Sequence, residues 1–438
     1  MQTNSRISLT FALALWVASC VLLPAGWAQT NTENFAQFRF NFNNPGARAT
    51  GIGGAFMSIA DDATASEANP AGLTTLLRPE ISLEGKAIQF ITHVDNFSQT
   101  GTAANFTLNP RDFKSAVVSP SFVSVVFPVR RFTFAVFRHE LMNFESNFYT
   151  NGTFAPGFTD GSFLFPANSS TRIHVDNYGG TVAYKVRESF SVGVSGGVSL
   201  MNMKSSIARY FLAVFNDGSL ANIATIDDNS TDFFLNVGLL YRPVENLSIG
   251  LTYKRRPSFS PKQTYRFTSF PTDSSRTAPI NFNVPSSYGI GISYRPTDVL
   301  TFAVDVVRVG YSSLTKNFAL TLSQPYLNSG DFAVDDGFEF HGGAEYVLFL
   351  KTVGIVFRGG GYLEPDNRIR WVGNVNDSTD PDRIFARKIM QGLFQSGKSY
   401  AHGTFGAGCI FSNNVQFDVA GDLSSVSNTV VGSLVVRF

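Results

Sequence analysis

From residue 79 onward, the sequence is divided into segments in which apolar residues alternate with small or polar ones. The segments 191–195 (SVGVS) and 288–292 (YGIGI) are clear examples. A period of two places the two sets of side chains on opposite faces of a β-strand. One face is then rich in Val, Ile, Leu and Tyr, whereas the other consists mainly of uncharged Gly, Ser and Thr. The pattern predicts strands whose apolar face contacts lipid, because a soluble β-sandwich would bury that face and expose charges on the other.

Fourteen such segments can be counted, and the connections between them alternate in length. The segments are 79–93, 114–128, 131–144, 171–186, 189–203, 231–242, 247–256, 284–295, 298–311, 337–349, 353–364, 398–411, 414–423 and 428–438. Tight turns alternate with the long connections 94–113, 145–170, 204–230, 257–283, 312–336 and 365–396, and the last connection, 424–427, is short. An even strand number with short turns on one side is typical of bacterial outer-membrane barrels. The predicted fold is an all-β, 14-stranded antiparallel transmembrane β-barrel over residues 79–438.

The composition agrees with this fold and argues against other classes. Charged residues make up 15% of the chain, whereas about 25% is typical of soluble domains. Mean hydropathy is nevertheless only +0.04 although Phe numbers 43, so apolar residues must be interleaved with polar ones. Lys and Arg total 34 against 33 Asp and Glu, which leaves no excess of positive charge for binding nucleic acid.

The first 28 residues have the parts of a secretory signal peptide. Met1–Arg6 is polar with one positive charge, Ile7–Leu23 is almost wholly apolar, and Pro24–Ala28 offers small residues for cleavage after residue 28. A lipoprotein signal ending at Cys20 is the alternative, although the apolar core continues past it. After this segment the sequence contains no run of about 18 consecutive apolar residues, so it predicts no membrane-spanning helix. We therefore expect an exported protein in the outer membrane of a Gram-negative bacterium.

The strands that run toward the short turns all end near an aromatic residue. These residues are Phe127, Tyr184, Tyr241, Tyr294, Tyr346, Phe411 and Phe438. Aromatic side chains concentrate at the headgroup level of a membrane, so this end is predicted to lie at the periplasmic interface. The final strand, which ends in Phe438, resembles the signal that the barrel-assembly machinery recognises.

Residues 29–78 lack the period of two and are rich in Gly, Ala and Asn. They contain NPGARA at 44–49, GIGGAF at 51–56, DDA at 61–63 and NPAGL at 69–73. A phosphate-binding loop is the alternative for the glycines, but no Lys-Ser/Thr pair follows them. Close packing inside a tube is favoured, because Gly permits close approach and positive φ.

Within this segment, Asp61 or Asp62 is predicted to cap a short helix over 63–68 that Pro70 ends. Asn69 offers hydrogen bonds that could join the segment to the barrel wall.

These motifs resemble the plug, or hatch, of FadL-type outer-membrane transporters of long-chain fatty acids. The match covers residues 44–73 and includes the Asn-Pro-Ala signature with a preceding Ala-Asp-Asp. The resemblance implies a plug over residues 29–78 that gates the lumen, with no cofactor. The plug residues to which it assigns a gating role are Gly53, Gly54, Asp61, Asp62, Asn69, Pro70 and Ala71.

The resemblance also implies passive uptake of hydrophobic molecules rather than an enzymatic reaction. Long-chain fatty acids are the first expectation, and aromatic hydrocarbons are the alternative within the family. A different alternative is that the same barrel serves as a secretion-system or surface-interaction protein. The expected partners are a hydrophobic small molecule, outer-membrane lipid and the barrel-assembly machinery, with the protein a monomer.

The third predicted strand interrupts its own alternation. Phe132, Phe134 and Val136 alternate as expected, but Arg138, His139 and Glu140 then place three polar residues in succession. An Arg exposed at the bilayer midplane would cost about 2–4 kcal/mol, so a bulge or kink that turns these residues away from lipid is predicted. In FadL-type proteins a kinked third strand opens the wall sideways, and the resemblance implies the same lateral exit here.

Several charged side chains are predicted to point into the lumen. Lys254 and Arg358 each follow an aromatic residue of the outer face, and Glu84, Lys86, Glu345 and Asp418 are expected to point inward as well. Lys254, Arg358 and Arg138 are the candidate partners of a substrate carboxylate, with Arg favoured for its bidentate geometry. The alternative is that these charges pair with one another or with the plug.

The histidines do not suggest a metal site or a catalytic site. His93, His139, His174, His341 and His402 fall in different predicted strands and lack the spacing of metal ligands. No nucleophile and acid accompany them in a local arrangement typical of a hydrolase. We therefore expect neither a bound metal nor an enzyme.

Overall fold

The computed structural model describes residues 44–94, 97–99, 106–108, 111–150, 166–210, 219–268, 274–316, 329–350, 353–380, 383–384, 387, 390–391, 394–411 and 414–438. Within these residues, fourteen antiparallel strands form a closed barrel in which each strand pairs with its sequence neighbours and the last pairs with the first. We label these strands β1 to β14 in chain order. Each corresponds to one of the fourteen predicted segments, which confirms the predicted fold. The predicted signal peptide and residues 29–43 lie outside the described part of the chain.

The first seven barrel strands are β1 Glu80–Val94, β2 Arg111–Val129, β3 Phe132–Thr150, β4 Ala167–Arg187, β5 Phe190–Tyr210, β6 Leu220–Val244 and β7 Leu247–Arg255. The other seven are β8 Ser287–Thr297, β9 Leu300–Val309, β10 Gly337–Leu350, β11 Val353–Glu364, β12 Tyr400–Phe411, β13 Val415–Leu423 and β14 Ser427–Arg437.

Part of the chain that the sequence assigned to long loops is also strand. Strands β3 to β6 extend beyond their predicted limits, because the ladder continues where the apolar alternation fades. The hairpin Lys262–Phe267 and Ser274–Pro279 pairs with the extended part of β6. Three further two-stranded pairs join Phe97–Gln99 to Phe106–Leu108, Ser258–Phe259 to Phe282–Asn283, and Phe332–Ala333 to Arg370–Trp371. Two 3-10 helices, Tyr311–Thr315 and Ser329–Asp331, lie on the same side.

The outer face of the barrel is apolar, and it carries the predicted aromatic belt at the short turns. Six of the seven predicted aromatic residues are exposed. Tyr184 is half-buried because its ring packs against Phe132, with the ring centroids 4.7 Å apart. The small polar side chains that alternate with the apolar ones, such as Ser195 and Ser199, are fully buried inside. This arrangement is that of a barrel embedded in lipid.

The segment before β1 lies inside the barrel as a plug. It consists of helix α1 (Ala47–Gly51), helix α2 (Ala65–Ala68) and the 3-10 helix Pro70–Thr75. Nearly all of its residues from 45 to 74 are buried. None of the described helices combines the length and apolarity that a helical membrane span requires. Irregular backbone is acceptable at this depth because the barrel wall encloses it.

The small residues of the inner face make room for the plug backbone. At Gly250 on β7, an added Cβ would lie 2.3 Å from the carbonyl oxygen of Met57 and 2.6 Å from its carbonyl carbon. Neither atom can move without moving the plug, because both belong to its backbone. The alternation of small and large residues in the sequence therefore provides both the lipid-facing surface and the space for the plug.

We expect Gly250→Val to displace the plug from this part of the wall. The variant barrel should unfold at a lower temperature, and cells that carry it should admit small polar solutes faster. Gly359→Val is the matched control, because an added Cβ there meets nothing within 4 Å. Heat-dependent mobility in denaturing gels and solute influx measure the two effects, and equal behaviour of the two variants would contradict this close contact.

Candidate functional site

The plug is held to the wall by a buried charge cluster around Glu67 of α2. Its Oε1 lies 2.7 Å from Nη1 of Arg256 and 3.5 Å from Nζ of Lys254. Its Oε2 accepts a hydrogen bond of 2.9 Å from Asn236 and lies 3.7 Å from Nδ1 of His139. This single carboxylate therefore contacts residues of β3, β6, β7 and the position after β7.

The ionisation of Glu67 follows from its neighbours. Burial alone would raise the pKa of this carboxyl, but the charges on Arg256 and Lys254 outweigh it and hold the pKa well below its usual range. Glu67 is thus ionised at neutral pH, and its negative charge partly neutralises the two buried cations.

A second set of ion pairs links α1 to the opposite wall. Arg48 forms an ion pair with Asp61 and a bidentate pair with Glu345, at 2.8 and 2.9 Å. Glu345 also lies 2.7 Å from Arg358, which in turn lies 2.6 Å from Asp418. The series of pairs runs from the plug across β10, β11 and β13.

Lys254 and Arg358 therefore point inward, as the alternation of side chains along their strands predicted. Both form ion pairs with carboxylates. These contacts correspond to the alternative in which the charges pair with one another and with the plug. A role for either residue in binding substrate stays a prediction.

The Asn-Pro-Ala motif forms a turn that joins the plug to β6. The amide of Asn69 donates to the carbonyl oxygen of Met57 at 2.7 Å and to that of Leu239 on β6 at 3.1 Å. Its side-chain oxygen accepts from the N–H of Ala71 at 3.2 Å, at the start of the 3-10 helix. Pro70 occupies the first position of that helix, where a missing N–H costs nothing. Asn69 thus makes the wall contact expected of it.

The predicted helix in the plug is shorter than expected at its start. It begins at Ala65 rather than at residue 63, and Thr64 precedes it. Asp62 accepts a hydrogen bond of 2.9 Å from the N–H of Thr64, so its side chain satisfies a backbone donor just before the helix. Burial raises the pKa of Asp62.

Gly53 and Gly54 form a turn that only glycine fits easily. Their φ angles are +71° and +77°, a region that other residues rarely adopt. A Cβ at Gly53 would also lie 2.6 Å from the carbonyl oxygen of Gly342 on β10. The carbonyl oxygen of Gly53 lies 2.8 Å from Nδ1 of His341. The glycine-rich motif thus places this turn directly against the wall.

The ladder between β2 and β3 stops halfway along β3. Its last pair is Phe122–His139, and the rest of β3 pairs only with β4. The β3–β4 register shifts between Glu140 and Met142, so Leu141 is an extra, bulged residue. Because of this bulge, the residues from His139 to Phe144 are all buried, and the alternation is lost. The structure therefore has a gap in the backbone ladder at the polar triplet that the sequence singled out.

A proline on the neighbouring strand marks the same level. Pro120 of β2 lies just beyond the last β2–β3 pair and has no N–H to donate to a ladder. The β1–β2 register also shifts here, between Glu84 and Gly85, and leaves Ser121 without a partner in that register. The gap thus has a cause on both strands, of which the polar triplet in the sequence indicates only the one on β3.

An apolar cluster fills the lumen between the plug and the long connections. It includes Met57 of the plug, Leu141 and Met142 of the bulge, and Phe90 of β1, whose ring centroid lies 5.1 Å from that of Phe144. Other members are Ile173, Val175, Met201, Met203, Ile226, Phe259, Phe282, Tyr311, Phe332, Met390 and Phe394. Five of the six methionines in the chain belong to it. Methionine adapts to irregular apolar partners, so the cluster suits apolar molecules of varied shape.

Two cavities next to the plug are lined mainly by polar residues. One of about 30 Å³ lies beside the gap, among Glu84, Lys86, Glu140 and Arg256. The other, of about 280 Å³, lies on the short-turn side of the plug, and its lining includes Asp61, Arg242 and Arg295. The large apolar cluster therefore lies above the plug and at the bulge, whereas these two cavities beside the plug are polar.

The five histidines lie on five different strands, and His341 and His402 both stack on Tyr362. Each lies between 2.5 and 3.7 Å from a carboxylate oxygen. Among the residues that the structure describes, no group of three or more His, Cys, Asp or Glu side chains is placed to hold a metal ion.

Comparison with solved structures shows the same fold in hydrophobic-compound channels. The monoaromatic hydrocarbon channel CymD is 17% identical, with a TM-score of 0.58, and the match covers 91% of this chain and 99% of that one. The Pseudomonas putida toluene transporter TodX has a TM-score of 0.61 at 15% identity, again over 91% and 99%. A FadL homologue of Pseudomonas aeruginosa has a TM-score of 0.60 at 14% identity over the same shares. No curated protein sequence matches the chain.

The sequence itself matches a family profile over most of its length. Residues 33–348 match the family described as "Outer membrane protein transport protein (OMPP1/FadL/TodX)". This match agrees with the predicted outer-membrane location and with the prediction that the protein is not an enzyme. The barrel, the plug and the sequence match lead to one conclusion: the chain belongs to the OMPP1/FadL/TodX family of outer-membrane transport proteins.

Proposed function

We propose that this protein admits hydrophobic molecules by passive diffusion and releases them sideways into the membrane through the gap between β2 and β3. One observation carries the proposal. The apolar cluster contains residues from the long-connection side, such as Phe332 and Phe394, and also Leu141 and Met142 at the bulge. An apolar molecule that enters from outside thus finds apolar contacts as far as the gap.

The alternative route, straight through the plug, is less favourable for such a molecule. The plug backbone packs closely on the wall, and the cavity on its short-turn side is lined by Asp61, Arg242 and Arg295. An apolar molecule gains nothing from burial in a polar lining. In this proposal the plug, with its Gly53–Gly54 turn and its Asn69–Ala71 motif, closes the direct route and directs substrate to the side.

Uncharged aromatic hydrocarbons and long-chain fatty acids are the two candidate substrates. The buried cations Lys254, Arg256 and Arg358 each form an ion pair with a carboxylate of the protein. A fatty-acid carboxylate would therefore have to displace an existing partner, at the cost of leaving that acid unpaired. This pairing favours uncharged hydrocarbons. Fatty acids are the second candidate, with Arg358, Lys254 and Arg138 as the residues to test.

Uptake by cells with and without the gene tests the proposal. We expect the gene to raise the initial rate of labelled toluene uptake several-fold at low external concentration, and to raise oleate uptake less. Cells that express an unrelated porin at the same level serve as the control. Equal rates with and without the gene, for both compounds, would remove the proposed transport function and favour a role as a surface for protein partners.

We further infer that the barrel reaches the membrane as a monomer through the barrel-assembly machinery. The exposed ring of Phe438 and the strand β14 would be the recognised elements. Replacing Phe438 with Ala should lower the amount of assembled barrel.

A further inference from the structure

We propose that Arg138 is a clasp across the gap between β2 and β3, and that its contacts set how readily a hydrophobic molecule leaves the lumen. The inference rests on the lateral exit proposed above. It assigns to Arg138 a gating role, which differs from the substrate-binding role that its charge suggested.

The side chain of Arg138 joins three strands. Its Nη1 donates a hydrogen bond to the carbonyl oxygen of Pro120 on β2, and its Nη2 lies 2.5 Å from Oδ1 of Asp176 on β4. Pro120 lies just past the last β2–β3 backbone pair. The guanidinium thus supplies a hydrogen bond at the level where the backbone ladder has ended.

The acid that holds Arg138 is itself connected to the bulge. His174 of β4 lies 3.4 Å from Oδ1 of Asp176 and 3.4 Å from Oε2 of Glu140. Glu140 also accepts a hydrogen bond of 3.0 Å from Asn143 and lies 3.8 Å from Lys86. The clasp is therefore part of a network that includes the residues on both sides of Leu141.

The position of the clasp makes it an obstacle to lateral exit. The apolar cluster reaches the wall at Leu141 and Met142, and the outer face beside the gap contains Val136 and Tyr178, both exposed. The contact between Arg138 and Pro120 lies at the paired end of this gap, and the next contact across it joins Asn143 to Ser119 at 3.3 Å. A molecule that leaves the cluster at the bulge passes beside this end of the gap. Hydrogen bonds to charged groups are stronger than neutral ones, so the contacts of Arg138 oppose the widening of the gap more than the neutral contact between Asn143 and Ser119 does.

Toluene uptake by cells that express Arg138→Gln tests the clasp. We expect the initial rate to rise on the order of tenfold, as for the loss of a hydrogen bond to a charged group. Asp176→Asn should raise it in the same direction, because Arg138 then loses its anchor. The folded amount of each variant is measured by heat-dependent mobility in gels, and rates are compared at equal amounts.

Arg255→Gln is the matched control. Arg255 on β7 donates from Nη1 to the carbonyl oxygen of Phe233, and its Nη2 lies 3.4 Å from Oδ2 of Asp232. The contacts resemble those of Arg138, but they lie at the end of β7 and away from the gap. Its replacement should leave uptake unchanged.

The outcomes separate the clasp from the lateral exit itself. Faster uptake in Arg138→Gln and Asp176→Asn, with no change in Arg255→Gln, supports the clasp. Unchanged or slower uptake in both gap variants overturns it, and so does an equal rise in the control. If a barrel lacking Leu141 also transports at the full rate, the lateral exit fails together with the clasp. If Arg138→Gln does not fold, Asp176→Asn alone decides between these outcomes.

Discussion

A variant that lacks Leu141 should fold into the same barrel and lose uptake of hydrophobic molecules. Leu141 is the extra residue of β3, between the pairs Glu140–Asp176 and Met142–Val175. Its removal leaves both sets of β3–β4 pairs in register and takes away the bulge that bends the strand. The straightened β3 would then lie beside β2 and close the gap in the wall.

The expected effect is large, because the proposed exit would be absent rather than narrowed. Toluene uptake should fall to the rate of cells without the gene. The barrel should still migrate as a folded species in unheated gels, since the deletion removes no backbone pair of the β3–β4 ladder.

Leu141→Ala is the matched control for this deletion. It keeps the bulged backbone and removes only the side chain, so it should retain most of the uptake. A folded deletion variant that transports at the full rate would contradict lateral exit. Loss of uptake in Leu141→Ala as well would indicate that the apolar side chain matters rather than the bulge.

The parts of the structure that depend on local pattern could be predicted from the sequence. Alternation assigns each side chain to a face, and for this reason Lys254 and Arg358 were correctly placed inside. The polar triplet at Arg138–Glu140 marked the irregular part of β3 for the same reason. The Asn-Pro-Ala motif indicated a tight, buried turn because each of its residues has a specific backbone role.

The parts that depend on which strands meet could not be predicted in this way. Pro120 ends the β2–β3 ladder only because its level coincides with the bulge, and that coincidence depends on the register of two strands. The partners of Glu67 lie far along the chain, at Asn236, Lys254 and Arg256. The sequence does contain one signal for them, because Glu67 is the only charged residue between Ala63 and Leu73. A lone acid in a segment predicted to be enclosed by the barrel favours a buried cation as its partner.

Glu67→Ala should release the plug from the wall and make the barrel permeable to large polar solutes. The substitution leaves Lys254 and Arg256 buried beside each other without their shared carboxylate. Removing one partner from a buried ion pair typically destabilises a protein by about 3–5 kcal/mol. The barrel ladder does not depend on Glu67, so we expect the loss of stability to fall on the plug.

Two measurements check this expectation. Cells with the variant should become sensitive to vancomycin, which an intact outer membrane excludes, and the plug should be cut by added protease under conditions in which the wild-type chain resists. The variant should still show the gel mobility of a folded barrel. A resistant plug and unchanged antibiotic sensitivity would show that Glu67 does not hold the plug in place.

Glu188→Ala is the matched control, because Glu188 is 94% exposed and lies 3.6 Å from Lys185 at a turn. Exposed ion pairs contribute about 0–1 kcal/mol, so this variant should behave as the wild type.

A second variant separates the effect of the charge from the effect of the side-chain volume. When Lys254→Met and Arg256→Met are added to Glu67→Ala, the cations are removed together with their shared carboxylate, and replacing a whole buried ion group by apolar residues is often neutral. Protection of the plug should then return in part, which a purely steric role for Glu67 would not produce.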